Sequence, residues 1–193
     1  PWAIENNIEL YVFDIQRLKE ILKEARKQKK KANIHLELET GMNRTGLDTA
    51  QLKEAQQLLA DEKEYRNIKG ICTHLAGAES IANYKRIKDQ YRRFKKLVPK
   101  FQHLVEEDTA LHMASSAASL RYPKTRFDLV RIGILQYGFF PTEEILVHYL
   151  SKKKMVSNPL KRVISWKSTV MDITHVDAGK FVGYGTSYFT NTP

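Results

Sequence analysis

Apolar stretches of strand length alternate with amphipathic stretches of helical period through the first 140 residues, and this alternation limits the possible folds more than any other feature. Helices between consecutive strands are typical of a parallel sheet, because parallel neighbours need a crossover connection. The pattern fits an open doubly wound sheet, and it also fits five-eighths of a TIM (β/α)8 barrel, which needs about 250 residues when complete. Alternation alone does not choose between them. The predicted strands are 8–13, 33–39, 68–75, 110–114 and 129–138.

Caps and apolar faces predict the helices between these strands. Asp14 is the expected N-cap of the first helix, and Asp48 with Gln51 three residues later has the spacing of a capping box for the second. A third helix repeats large apolar and aromatic side chains at helical spacing, which predicts core packing and not a platform for stacked bases. The predicted core positions are Ile15, Leu18, Leu22 and Ala25, then Leu52, Ala55 and Leu59, then Ile81, Tyr84, Ile87, Tyr91, Phe94 and Leu97.

The segment from position 154 onward has a different character. Residues 162–176 are rich in β-branched side chains and lack a helical period, and Asp177–Gly179 predicts a turn into 180–189. We therefore expect a (β/α) domain at 1–153 and the beginning of a mainly β domain at 154–193.

Charge and hydropathy narrow the class of protein. The net charge is +10, but the basic side chains cluster at 26–31, 91–96 and 151–155, where helices are expected to end and where cations complement the helix dipole. This distribution predicts solvated faces and no nucleic-acid site. No apolar run approaches the roughly 20 residues of a membrane span, so no membrane segment is expected.

The single cysteine, Cys72, excludes an internal disulfide within the chain and a multi-cysteine zinc site. Its apolar neighbours predict a buried core residue, and the composition suits a reducing cytoplasm. The six histidines lack metal-ligand spacing, so no metal site is predicted. No G-x-G-x-x-G or Walker-type loop follows a strand.

Polar residues recur where the predicted strands end, which is the ligand-binding edge of parallel α/β folds. Arg131 is the most informative, because an unpaired charge inside an apolar run is costly; an internal ion pair or a ligand contact would explain it. Purely structural roles remain as alternatives to ligand binding for the others. His74 could be a hydrogen-bonded core histidine, Arg44 could pair with Asp48, and the two serines could cap a helix. The full set is Arg44, Thr73, His74, Ser115, Ser116, Arg131 and Gly133.

Five segments resemble, in order, successive blocks of the alanine racemases, which are enzymes that use pyridoxal 5′-phosphate (PLP). They are HLELETGMNRTG (35–46), GICTHLAGAES (70–80), LHMASSAASLRYP (111–123), FDLVRIGILQYGFFP (127–141) and the region from VISWKSTVMDI to GYGTSYF (163–189). The resemblance implies a TIM barrel followed by a β-domain. It also implies a central segment of a longer protein, with the Schiff-base lysine before Pro1 and more of the β-domain after Pro193.

The same resemblance assigns cofactor-binding roles. Arg131 would face the pyridine nitrogen, and an arginine cannot protonate that nitrogen because its own pKa lies far above the neutral range. The ring is then a weaker electron sink, which favours return of the proton to Cα over transamination. Ser116, with the backbone N–H groups of Gly133 and Ile134, would hold the phosphate. His74 would pack against the ring and support Arg131, and Ser115, where asparagine is frequent in the family, would belong to the polar surroundings.

Three further roles follow from the resemblance. Tyr184 would be the catalytic base opposite the lysine, contributed by the partner subunit of a homodimer. Arg44 would hold the substrate carboxylate. Many family members carry a lysine, often carbamylated, where this chain has Glu37, so Glu37 is expected to brace Arg44 directly with its own negative charge.

The function implied is interconversion of L- and D-alanine, which would supply D-alanine for peptidoglycan, through a two-base mechanism with PLP as the cofactor. Two alternatives stay open on the residues: a related racemase acting on serine or basic amino acids, and a truncated, non-catalytic relative. The expected partners are an amino-acid substrate and a second copy of the chain, with no nucleic acid and no membrane.

Overall fold

The computed structural model describes residues 1–192, which divide into two compact units, Pro1–Val163 and a second unit from Ile164 onward. The strands of the first unit are β1 (Leu10–Val12), β2 (Ala32–Glu37), β3 (Arg66–Cys72) and β4 (Ala110–His112). Its helices are α1 (Trp2–Glu5), α2 (Ile15–Gln28), α3 (Leu52–Asp61), α4 (Tyr84–Leu97), α5 (Ser116–Arg121) and α6 (Glu143–Lys153). Short 3-10 turns occupy Lys63–Tyr65, Ile81–Asn83, Val98–Leu104, Pro123–Thr125 and Ile134–Tyr137.

The order of the strands across the sheet identifies the fold. All four are parallel and lie side by side as β1-β2-β3-β4, the order in which they occur in the chain. Because crossover connections are right-handed, crossovers that always advance in one direction place their helices on one face of the sheet. A doubly wound sheet would reverse direction at its centre. The fold is therefore part of a TIM barrel, as the family resemblance implied and the alternation of elements alone did not decide.

The predicted cap of α2 and the predicted apolar faces of α2 and α3 are confirmed. The Asp14 carboxylate accepts a hydrogen bond from the Arg17 backbone N–H at 2.7 Å. Asp48 accepts from the Gln51 N–H at 3.0 Å, and the Gln51 side chain accepts from the Asp48 N–H at 3.2 Å, so the two hydrogen bonds of a capping box are present. They close the turn before α3, whose N-cap position is Gln51. All seven predicted core positions of these two helices are buried.

The predicted apolar face of the next helix is wrong at its beginning. Ile87, Phe94 and Leu97 are buried as expected, but Ile81 is 68% exposed and Tyr84 is 53% exposed. Ile81 lies in a separate 3-10 turn before α4, and Tyr84 is the first residue of the helix. The helical spacing therefore does not extend to Ile81, and its side chain does not share the buried face.

The fifth predicted strand, 129–138, is also wrong. The chain runs beside β4 only briefly, through a bridge between His112 and Leu129 and a hydrogen bond from the Arg131 N–H to the Ala114 carbonyl at 2.9 Å. The Gly133 N–H then donates to the Ser116 hydroxyl and not to a neighbouring strand. With its ladder interrupted there, the backbone turns into the 3-10 segment Ile134–Tyr137.

The second unit contains an antiparallel hairpin of β5 (Phe181–Val182) and β6 (Tyr188–Phe189). Residues 164–176 form no regular element, although their composition favoured β-structure, because within the described chain no strand pairs with them. The predicted domain boundary near 153 stays a prediction: α6 ends at Lys153, while the first compact unit continues to Val163, whose N–H donates to the Tyr137 carbonyl.

Two predictions from composition are confirmed by the first unit. Cys72 is fully buried, and burial raises the pKa of its thiol to about 12. The basic clusters lie at the ends of α2, α4 and α6, where most of their side chains are exposed. No helix among residues 1–192 has the length and apolar composition that a bilayer span requires.

Candidate active site

The carboxyl ends of β2, β3 and β4 bring titratable side chains together. Glu37, Cys72 and His112 are the last residues of these strands and are aligned in register. Because aligned residues point to the same face of a sheet, their side chains share one surface. The loops that follow carry His74 and Ser116 to the same edge of the sheet.

An open cleft of about 460 Å³ lies at this edge. All six residues for which the resemblance implies cofactor binding line it, and the remaining lining residues are Glu79, Ala117 and Pro141. The tertiary structure thus collects into one place residues that are spread over sixty positions of the sequence. Their roles toward a cofactor stay predictions. The six are His74, Ser115, Ser116, Arg131, Gly133 and Ile134.

Arg131 is held by neutral acceptors. One guanidinium nitrogen, Nη1, donates to His112 Nδ1 at 2.6 Å; the other, Nη2, donates to the Thr73 carbonyl at 2.9 Å and to His74 Nδ1 at 3.2 Å. No carboxylate within residues 1–192 forms an ion pair with it. The ion-pair explanation of Arg131 is therefore wrong for the described residues, where neutral acceptors hold its guanidinium at the wall of the cleft.

The two histidines that contact Arg131 are kept neutral by their surroundings. Burial, the Arg131 charge and the neighbouring His35 together lower the pKa of His112 to about 3. Burial and the charges of Arg131 and Arg44 lower the pKa of His74, against a smaller opposing effect of Glu79. A neutral imidazole can accept a hydrogen bond from the guanidinium, whereas a protonated one cannot.

Ser116 and Gly133 meet at the wall of the cleft. The Gly133 N–H donates to Ser116 Oγ at 2.9 Å, and Ser116 is 5% exposed. Apart from its own chain neighbours, the one described atom within 4 Å of a Cβ built on Gly133 would be Ser116 Oγ, at 3.9 Å, so a small space stays open beside the glycine. Ser115 occupies the N-cap position of α5, yet its side chain makes no capping hydrogen bond, so the helix-cap explanation does not hold for Ser115.

Arg44 lies in the turn after β2, and a neighbouring carboxylate organises this turn. Glu39 accepts hydrogen bonds from the backbone N–H groups of Gly41 and Asn43. Gly46 has a φ of +116°, and a Cβ there would lie 2.7 Å from the Glu39 nitrogen, so only glycine closes the turn. Arg44 is exposed, and neither Asp48 nor any other residue in the described chain pairs with its guanidinium.

The expected contact between Glu37 and Arg44 is not present in this structure. Glu37 is 8% exposed at the end of β2, and no hydrogen bond or ion pair of its carboxylate occurs among residues 1–192. The turn carries Arg44 into solvent, while the strand keeps Glu37 inside. The supporting role of Glu37 stays a prediction, and Glu39 is the carboxylate that braces the turn.

Tyr184 belongs to the second unit. It lies at the tip of the β5–β6 hairpin, after Gly183 with its φ of +73°, and its side chain is fully exposed. An exposed phenol at a hairpin tip has no packing role within its own unit, so the alternative of a core-packing tyrosine is not supported there.

Sequence reasoning missed three buried polar residues around the cleft. Gln90 of α4, 1% exposed, donates to the His74 carbonyl at 2.9 Å and accepts from the Ala76 N–H, so it fixes the loop that carries His74. His35 and His112 are 7% and 1% exposed and lie 2.8 Å apart through their ring nitrogens. Their position as polar residues inside apolar strands was a signal available in the sequence.

Comparison with known proteins identifies the family. Residues 1–141 match the model of the alanine racemase N-terminal domain. The alanine racemase of Leptospira interrogans is 31% identical over 163 residues, which is 83% of this chain and 40% of that protein. The alanine racemase of Anoxybacillus flavithermus is 31% identical over 194 residues, covering all of this chain and 47% of that protein.

Solved structures agree with this assignment. The alanine racemase of Streptomyces coelicolor A3(2) superposes with a TM-score of 0.79 at 26% identity, over 100% of this chain and 49% of that one. The alanine racemase of Bacillus anthracis, solved with bound L-Ala-P, gives a TM-score of 0.72 at 27% identity, over 99% and 47% of the two chains. The chain spans about half the length of the relatives it matches. With its parallel barrel strands and its match over residues 1–141, the chain belongs to the alanine racemase family.

Proposed function

We propose that this chain is part of a PLP-dependent racemase that interconverts L- and D-alanine. The observation that carries the proposal is Arg131 at the wall of the cleft, a guanidinium held by two neutral imidazoles and a carbonyl, with no carboxylate partner among the residues that the structure describes. A cation in that position can donate a hydrogen bond to a ring nitrogen but cannot protonate it. Family membership supports the same reaction.

The residues of the cleft fit PLP. Ser116 Oγ, which accepts from the Gly133 N–H, lies beside the small open space and could donate its own hydroxyl proton to a phosphate oxygen, and the Gly133 N–H would be available to the phosphate once it leaves Ser116 Oγ. Arg131 would donate to the pyridine nitrogen, and His74 would lie beside the ring. When bound, PLP supplies an electron sink that makes the Cα–H bond of an amino acid acidic.

The chain's own residues would then handle the substrate and its proton. Arg44 would bind the carboxylate, because its guanidinium is exposed and unpaired within the described chain and is near enough for its charge to lower the pKa of His74. Tyr184 would exchange a proton with one face of Cα, and a second base would serve the other face. We propose a cytoplasmic homodimer in which each subunit supplies Tyr184 to the other subunit's site. We also propose that Glu37 supports Arg44 and that Ser115 belongs to the polar surroundings of the cofactor.

Replacing Gly133 with alanine tests the phosphate site separately from catalysis. The methyl group would occupy the open space beside Ser116, so the dissociation constant of PLP should rise by about tenfold, the value of one charge-assisted hydrogen bond. The affinity for pyridoxal, which lacks the phosphate, should not change. Both affinities can be measured by absorbance titration of the unloaded protein. An equal loss for the two ligands would place the phosphate elsewhere.

The reaction is tested by loading the protein, expressed from its natural gene, with PLP and following D-amino acid formation from L-alanine, L-serine and L-lysine. We expect alanine to be racemised fastest. Tyr184→Phe should lower the rate by about a hundredfold or more, as expected for loss of an acid–base group, whereas Tyr188→Phe in the same hairpin should not change it. Faster turnover of serine or lysine would favour the related racemases, and no turnover in PLP-loaded protein would favour a non-catalytic relative.

A further inference from the structure

A chain of hydrogen bonds runs from Arg131 through the interior of the sheet to a carboxylate at its far side. Arg131 Nη1 contacts His112 Nδ1 at 2.6 Å; His112 Nε2 contacts His35 Nδ1 at 2.8 Å; His35 Nε2 contacts Glu9 Oε2 at 2.6 Å. Each imidazole uses both of its nitrogens in this chain. The two ends carry opposite charges, a guanidinium at the cleft and a carboxylate just before β1.

The groups at the two ends of this series, Arg131 and Glu9, determine the direction of every hydrogen bond in it. An arginine only donates, so His112 Nδ1 must accept and the proton of neutral His112 must lie on Nε2. His112 then donates to His35 Nδ1, which places the proton of neutral His35 on its Nε2, where the Glu9 carboxylate accepts it. The carboxylate can only accept when ionised, so both ends impose the same tautomer on both rings.

The backbone makes room for this arrangement. A bulge in the pairing of β2 with β3, between Ile34 and His35, places His35 opposite Gly70 and skips Lys69. A Cβ on Gly70 would lie 2.2 Å from His35 Nδ1, so the ring occupies space that only a glycine leaves free. Tyr11 stacks on the His35 ring, with the ring centroids 5.7 Å apart. It meets the His112 ring in a T-shaped arrangement, with the ring centroids 6.1 Å apart.

We propose that Glu9 and His35 are positioning residues: they hold His112 in the tautomer with its proton on Nε2 and so keep its Nδ1 lone pair on the Arg131 guanidinium. Without the Glu9 carboxylate, His35 loses the acceptor for its Nε2 proton and can carry the proton on Nδ1 instead. His112 would then have to accept at Nε2 and carry its own proton on Nδ1, directly against an Arg131 N–H. Loss of the Glu9 carboxylate would therefore break the hydrogen bond that orients Arg131, although His35 and His112 lie between the two residues.

The tautomer is a property of the protein without its cofactor, whereas the catalytic consequence rests on the proposed function. Half of the Glu9 side chain is exposed and its one hydrogen bond among the described residues is to His35, so substitution there does not disturb the core. Glu9→Leu removes the acceptor. Glu9→Gln keeps an acceptor oxygen without the charge, and Glu5→Leu changes an exposed glutamate that takes no part in the chain of hydrogen bonds.

The experiment records ¹⁵N spectra of the imidazole rings in the histidine-labelled protein, without PLP, in parallel with thermal unfolding. In the native protein, Glu9→Gln and Glu5→Leu, we expect His112 to be protonated at Nε2 alone. In Glu9→Leu we expect a population protonated at Nδ1 for both rings. In the PLP-loaded enzyme, kcat should fall about tenfold in Glu9→Leu and be restored to within about twofold in Glu9→Gln, the scale of one lost hydrogen bond.

Two results would overturn the proposal. One is a His112 signal in Glu9→Leu that still shows protonation at Nε2 alone. The other is an equal loss of kcat in Glu9→Leu and Glu9→Gln, since a tautomer effect is rescued by any acceptor. Because the spectra are taken without cofactor or substrate, a protein that fails to racemise alanine would refute the proposed function and leave the tautomer result intact.

Discussion

Arg131→Leu is expected to lower the rate of the proposed racemisation by at least about a hundredfold, the loss typical of removing one donor aimed at the reacting group. It should also destabilise the protein by about 2 kcal/mol or more, because three acceptors lose their donor at once. The pKa of His112 should rise from its value of about 3, since the Arg131 charge is, after burial, the main factor that lowers it. Denaturant unfolding, steady-state kinetics and ¹⁵N titration of the histidines measure the three effects.

Two companion variants separate charge from geometry. Arg131→Lys keeps the positive charge but replaces the planar fork with a single ammonium group, which cannot reach the acceptors on both sides. We therefore expect the pKa of His112 to stay low in Arg131→Lys while activity falls. Arg92→Leu, on the exposed face of α4, should change the free energy of unfolding by less than about 0.5 kcal/mol. An unchanged pKa of His112 in Arg131→Leu would contradict the electrostatic account of the site.

The free energy of unfolding is expected to fall steeply as the pH is lowered from 6.5 toward 3. An unfolded histidine has a pKa of about 6.5 and takes up a proton in this range. Folded His112, with its pKa near 3, does not. The unfolded state therefore binds more protons in this range. The contribution of His112 to the free energy of unfolding is fully present above pH 6.5 and is lost as the pH falls toward 3. His74, whose pKa is also lowered, acts in the same direction.

The magnitude follows from proton linkage. One proton difference changes the free energy of unfolding by about 1.4 kcal/mol per pH unit, so His112 alone should account for about 2 kcal/mol between pH 7 and pH 5. Urea titrations at pH 7, 6 and 5 measure this slope. His112→Asn retains a carbonyl acceptor for Arg131 but cannot titrate, so its curve should be flatter than that of the native protein. Parallel curves for the native protein and His112→Asn would refute the assignment.

Much of the local structure could be predicted from short-range patterns. The N-cap at Asp14, the reciprocal pair of Asp48 and Gln51 and the buried faces of α2 and α3 are encoded by residues three and four positions apart. Such spacings act through the geometry of a single helix turn, so they need no knowledge of the rest of the chain. The same approach failed at Ile81, because spacing indicates which residues share a face but not where a helix begins.

Most of the candidate site could also be located in advance. Polar residues at successive strand ends had to meet if the sheet was parallel, and the six residues of the cofactor prediction do line one cleft. Their contacts there were predictable only in part. The residues alone predicted an acid or a ligand as the partner of Arg131, and the resemblance implied support from His74, which does contact it. The Thr73 carbonyl and His112, nineteen positions away along the chain, were not predicted as its partners.

The amino-acid sequence specifies the helices, the alternation with parallel strands and the set of residues at the strand ends, because these depend on the chemistry of near neighbours. The strand order β1-β2-β3-β4, which distinguishes a barrel from a doubly wound sheet, required the folded chain. So did the bulge that sets His35 opposite Gly70 and brings its ring to His112, 77 positions away. Strand register is a long-range property: it is set by the packing and hydrogen bonding of whole strands against each other, and no local pattern encodes it.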